Sequence, residues 1–169
     1  HIAAAIVHQA RKLGAAECDV TITTRNAVET SVRLGQVEKL EGAQMRGLQF
    51  RALCGAKGTK TASSSTSDFG AKALKQLVKD TIATAEASEE DPYAGLPEPG
   101  DLAREYPDLG LFDPAVEKIP VETKISLAKE AEEVARGADP RITNSEGASF
   151  SDSAGQIVHA NSRGFLGSY

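Results

Sequence analysis

Apolar residues first recur at helical spacing. Ile2, Ala3, Ile6, Ala10 and Leu13 share one face, with His8, Arg11 and Lys12 opposite and Gly14 as a stop, which predicts a surface helix packed on a sheet. From Cys18 the period drops to two. Val20, Ile22 and Thr24 alternate with Thr21 and Thr23, and Val28, Thr30, Val32 and Leu34 alternate with Glu29, Ser31 and Arg33. Two strands are therefore predicted, with a hairpin turn at Arg25-Asn26. A third follows Gly35, from Val37 to Leu40, and a fourth carries Leu48, Phe50 and Ala52. Gly55-Ala-Lys-Gly58 turns the chain into a fifth, Thr59 to Ser65. Each strand of this meander has one apolar side, so helices must cover one face of the sheet.

A second helix is predicted from Phe69 to Ala87, with Ser67 and Asp68 as N-cap candidates and Leu74, Leu77, Val78, Ile82 and Ala85 as its buried stripe. Acid, Pro and Gly then dominate from Glu89 to Gly100, and a loop continues to Pro114. Pro120 suits the N1 position of a third helix, with Val121, Ile125, Ala128, Ala131 and Ala135 inward and an end near Gly137. Asp139-Pro140 returns the chain to strand. Two strands follow, in 141–151 and 158–169, with turns expected at Gly155, Gly164 and Gly167.

The resulting fold class is α+β: an antiparallel-rich mixed sheet covered by amphipathic helices, with the start of a second sheet region at the C-terminal end. Residues 1–137 form the expected N-terminal domain, and 138–169 the strands of an incomplete following region. Phe165-Leu-Gly-Ser-Tyr169 reads as the middle of an element, which predicts a piece of a larger protein.

Composition narrows the function classes. The 169 residues are 40% hydrophobic, enough for a sizeable core. A formal net charge of -5 and no concentrated run of Lys and Arg argue against direct nucleic-acid binding. No apolar run approaches the roughly 20 residues of a bilayer span, so a cytoplasmic protein without a membrane partner is expected. Cys18 and Cys54 lack any Cys-x-x-Cys or Cys-His spacing and are expected to be reduced, buried thiols.

The chemistry is thin. There is no H-E-x-x-H, no G-x-S-x-G and no phosphate loop. A zinc hydrolase needs three converging ligands, and the terminal His1, the helix-face His8 and the strand His159 are poorly placed to supply them, so no metal ligand and no catalytic residue is assigned. Ser67 and Asp68 close a serine-rich run at a helix start, where backbone amides favour anions, although a cap is the simpler reading. Glu38 and Glu41 flank Lys39 on opposite strand faces, which suits a solvated edge strand able to accept an extended peptide.

Arg33-Leu-Gly-Gln-Val-Glu-Lys-Leu-Glu41, Thr66-Ser-Asp68, Glu90-Asp-Pro-Tyr-Ala-Gly-Leu-Pro97, Leu109-Gly-Leu-Phe-Asp-Pro114 and Arg141-Ile-Thr-Asn-Ser-Glu-Gly147, closed by Asn161-Ser-Arg-Gly-Phe165, together resemble the N-terminal region of the PmbA/TldD family, once named modulators of DNA gyrase. The resemblance spans nearly the whole chain in order. It implies a cytosolic two-subunit metalloprotease acting on peptides or unfolded polypeptides, with zinc in a catalytic subunit whose H-E-x-x-x-D-H helix lies beyond this region. The 91–97 and 144–147 strings look more like the PmbA (TldE) subunit, which lacks the zinc motif. The chain is then a structural, substrate-shaping half whose partner is a TldD-like subunit or a second copy of itself. The alternatives are the scaffold of a zinc-bearing TldD-like subunit and a non-enzymatic peptide-binding or assembly module. Within the family-like strings, Glu38, Glu41, Ser67, Asp68, Asn144 and Asn161 are the polar positions singled out as peptide contacts or motif residues.

Overall fold

The computed structural model describes residues 2–56, 58–105 and 107–169. His1, considered above as a metal ligand, and Lys57 of the predicted turn lie outside the described residues. Helix α1 (Ile2–Lys12) buries Ala3, Ile6 and Ala10 and carries Arg11 and Lys12 in its last turn, where cations complement the helix dipole. Ile2 and Leu13, expected on the buried face, stay largely exposed because they sit at the two ends of the helix.

Strand β1 (Glu17–Arg33) is a single 17-residue element, not two. The expected turn at Arg25-Asn26 is absent. Even-numbered positions keep one parity from Cys18 through Asn26 to Val32, and nothing at 25–26 forces a reversal. The chain reverses at Leu34-Gly35, with φ of 50° and 75°, the left-handed pair that a two-residue hairpin turn requires. Strand β2 (Gln36–Cys54) likewise joins the expected third and fourth strands into one of 19 residues. Gly55 and Gly58, both at positive φ, make the next turn, and β3 (Lys60–Thr66) pairs antiparallel with Leu48–Cys54.

Helix α2 (Ala71–Ala87) buries Leu74, Val78, Thr81, Ile82 and Ala85. Its N-cap residue is Gly70, correcting Ser67 and Asp68, and no side chain caps it. Asp68 acts one step earlier, its Oδ1 accepting the Gly70 N–H at 2.7 Å. A short 3-10 turn, Val116–Lys118, precedes α3 (Val121–Gly137), whose N-cap residue is Pro120, one position before the expected N1. Strand β4 (Ala148–Asn161) runs straight through Gly155, and Gly167 lies inside β5 (Leu166–Ser168), so of the three expected glycine turns only that at Gly164 forms.

The sheet order is β3-β2-β1-β4-β5, and the fold is α+β as expected. The strands anticipated as a second sheet region take the place beside β1 in the same sheet. Contacts of Arg25 with Ser153, Thr21 with His159 and Cys18 with Ser162 show that β1 and β4 run antiparallel.

The chain divides into two units, and β1, β2 and β4 contribute a part to each. One takes the chain through Thr24, then Arg46–Leu109 and Gln156–Tyr169. Its core joins Ile6 and Ala10 of α1, Val20, Leu48, Phe50 and Ala52 of the sheet, and Leu74, Val78 and Ile82 of α2. Each large side chain there contributes about 1.5–3 kcal/mol by leaving water. The other unit takes Arg25–Met45 and Gly110–Gly155, and its interior is more polar. Val32 and Ala128 are buried alongside Thr30, Lys124 and Glu132. The stripe expected on α3 is thus overturned: Ala128 alone of it is buried, and Lys124 and Glu132 flank it at helical spacing. They turn inward because each has a partner there, Lys124 Nζ lying 2.6 Å from Asp152 Oδ2 and Glu132 bonding backbone amides.

Candidate functional site

Two seats and one groove gather the polar residues. In the second unit, Glu132 of α3 reaches the β1–β2 turn. Its Oε1 accepts the Leu34 N–H at 2.7 Å and its Oε2 the Gly35 N–H at 2.8 Å. The Ser145 hydroxyl, then these amides, hold its carboxyl below the usual glutamate range. Arg33 Nε donates to the Ser145 carbonyl at 3.0 Å. Gly147 packs so closely on Val32 that a Cβ would fall 2.5 Å from the Val32 carbonyl oxygen, which together with a φ of 101° makes glycine necessary. The strings at 33–41 and 141–147, distant in sequence, are therefore one place in the fold.

In the first unit, Arg163 does similar work. Its Nε bonds Glu17 Oε1 at 2.5 Å, and its Nη1 donates to the Pro97 carbonyl at 3.0 Å and pairs with Glu98. This ties the 90–97 string to the 161–165 string. Asn161, the buried last residue of β4, accepts the N–H groups of Arg163 and Phe165 on its Oδ1 at 3.0 and 3.1 Å.

The groove, about 770 Å³, is lined by Thr21, Thr23, Gly47, Leu48, Gln49, Ser65, Thr66 and Ser67. Hydroxyls and one amide predominate. Thr21 Oγ1 lies 2.8 Å from His159 Nδ1, the separation of a nucleophile and its base, but the imidazole packs at 5.7 Å on the Phe165 ring and no described carboxylate orients it. The contact stitches β1 to β4.

Of the residues singled out from sequence, Ser67 alone lines this groove. Glu38 and Glu41 are exposed on β2, and Lys39 Nζ bonds Glu41 at 3.0 Å and Glu29 at 3.6 Å. Asp68, Asn144 and Asn161 each accept a nearby backbone N–H. Sequence reading missed Glu132, Arg163, Lys124 and the Asp19–Arg51 pair, for which Nε lies 2.8 Å from Oδ2. The only trace of Glu132 was its spacing from Lys124 and Ala128.

Zinc, which the resemblance implies for a catalytic subunit, does not fit the donors here. Among the described residues no three His, Cys, Asp or Glu side chains are grouped to hold a metal. Both cysteines are free and buried, and burial pushes Cys18 up to about 11 and raises Cys54, against the thiolate that metal binding needs.

Residues 18–85 match the family model for PmbA/TldA metallopeptidase domain 1, and residues 114–169 that for the PmbA/TldA metallopeptidase central domain. The chain belongs to the PmbA/TldD family. It is 35% identical over 163 residues to the metalloprotease PmbA homolog of Haemophilus influenzae, covering 96% of this chain and 35% of that protein. Metalloprotease PmbA of Escherichia coli O157:H7 is 33% identical over 151 residues, covering 89% of this chain and 32% of that protein. The chain thus spans about a third of the length of these PmbA/TldD relatives. A Bacteroides thetaiotaomicron structure named as a modulator of DNA gyrase superposes with a TM-score of 0.89 at 25% identity, over 99% of this chain and 37% of that one. TldE from Thermococcus kodakarensis shares the fold, with a TM-score of 0.82 at 15% identity over 100% of this chain and 36% of that one.

Proposed function

We propose that this chain is the N-terminal portion of a PmbA-type subunit of a cytoplasmic, two-subunit zinc metalloprotease acting on peptides or unfolded polypeptides. The chain is its structural and substrate-shaping part, and a TldD-like partner holds the zinc. One observation carries the reading: the chain is 35% and 33% identical to two proteins named metalloprotease PmbA or its homolog. No helix among the described residues is long and apolar enough to cross a membrane, which accords with a cytoplasmic setting.

On this reading residues 1–137 are the first domain and 138–169 open the next. The hydroxyl-lined groove at Ser67 is where a polypeptide main chain finds donors and acceptors, and Glu38 and Glu41 are further contact positions. Asp68, Asn144 and Asn161 shape turns around them.

The test is the zinc content of the full-length subunit purified alone in metal-replete medium, followed by peptide cleavage after mixing with a TldD-like subunit. No bound zinc alone, and chelator-sensitive cleavage by the pair, is the expected result. About one zinc per chain would instead make the full-length protein a TldD-like peptidase.

A further inference from the structure

Helix α3 has its polarity reversed. The face it turns into the second unit carries Lys124, Ala128 and Glu132. About a quarter-turn round the helix, Leu127, Ala131, Val134 and the C-cap residue Ala138 line up at helical spacing and are all exposed. Leu127 is 40% and Val134 68% exposed. An ordinary surface helix does the opposite, because apolar side chains are stabilised by leaving water. Recurrence over three turns makes this a second apolar stripe rather than scattered surface residues. No described residue covers it.

Its composition says what fits. Large and small alternate along it, so Ala131 leaves a notch between Leu127 and Val134, the relief that takes a side chain of a second helix packed about 8–10 Å away. Thr123, Ser126 and Glu130 border it on the outer side, not the Lys and Arg rim of a helix that lies on a membrane. The length of the relatives supplies the occupant. Helix α3 lies within 114–169, which match the family's central domain, and the stretch matching domain 1 comes before it. This chain covers 35% and 32% of two relatives, so the greater part of such a protein has no counterpart in it, and the domain order puts the bulk of that part after α3. A tethered segment also meets the stripe at a far higher effective concentration than a separate molecule does.

We propose that a helix from the part of the full-length protein that follows Tyr169 packs across Leu127, Ala131 and Val134 of α3 and completes the second unit. It is a contact within one chain. It rests on the stripe and on the length of the relatives, and stands or falls apart from the proteolytic reading.

The test uses the full-length protein, alone and at low concentration. Val134→Cys is expected to react with a thiol reagent about tenfold or more slowly than Glu130→Cys on the polar flank, at a ratio unchanged by further dilution. Photo-leucine incorporated in place of leucine keeps the helix otherwise intact, so the proposal stays testable even if a cysteine variant fails to fold. On irradiation Leu127 is expected to join a residue beyond Tyr169 of the same chain, read by mass spectrometry of the linked peptides. Equal labelling of the two cysteine variants overturns the proposal. So does protection that fades on dilution or needs an added TldD-like chain. A Leu127 that links only to another molecule or to residues before Tyr169, or that stays unlinked while the buried Leu74 links, overturns it too.

Discussion

Glu132 and Gly35 stand 97 positions apart in the chain, yet the Oε2 of one accepts the backbone N–H of the other at 2.8 Å. Leu34, the only described non-glycine residue at positive φ, has its N–H on the second oxygen of the same carboxylate. A left-handed leucine costs of order 1–3 kcal/mol and persists only where its surroundings hold it, as the two charge-assisted bonds do here.

Glu132 therefore makes stability depend on pH. Its folded pKa lies below the ordinary one, so its contribution is full above the unfolded glutamate range and is lost as pH falls through that range and below. Glu132→Gln is expected to lower Tm at neutral pH, and the gap from wild type to close on acidification. A gap that stays constant through the carboxylate range would show that the charge is immaterial.

The buried Lys124–Asp152 pair gives a larger effect. Both side chains are almost fully covered, so Lys124→Met strands a carboxylate and is expected to cost roughly 3–5 kcal/mol in urea denaturation. The double variant Lys124→Met, Asp152→Leu should recover most of this, and a double variant no better than the single would show that packing, not charge, was lost.

Asn161→Ala removes the acceptor of two backbone amides in a buried turn. A loss of about 1–3 kcal/mol is expected, with faster hydrogen exchange at Arg163 and Phe165. Unchanged exchange would mean that water serves the turn as well as the amide does.

Thiol chemistry gives a last check. Burial raises Cys18 to about 11 and pushes Cys54 up as well, so a thiol reagent at neutral pH should label neither in the native protein and both after denaturation. Rapid native labelling would contradict the packing described for α1 and α2.

What the sequence disclosed and what it hid follow one rule: local patterns were legible and distant partners were not. The stripe of α2 and the turn at Gly55 are local, and both formed as expected apart from Thr81 replacing Leu77 on the fully buried face. The lengths of β1 and β2 were hidden because Thr23 to Asn26, and Gln36 to Arg46 apart from Lys39, are exposed and give no burial alternation to follow. The buried face of α3 was hidden because the partners of Lys124 and Glu132 lie on other elements. The family-like strings, which carried the resemblance, are also places where the chain meets itself, through Arg163 inside one of them and through Glu132, which lies in none.

The two-residue turn at Leu34-Gly35 also sets an order of assembly. Strands β1 and β2 are the longest strands and adjoin in sequence, so their ladder can form outward from the turn without closing a long loop. Strand β4 must find β1 over sequence separations of 128 to 144, as the Arg25–Ser153 and Cys18–Ser162 contacts measure. The β1–β2 hairpin is thus the pairing with the smallest loop to close, and β4 the long strand whose pairing closes the largest.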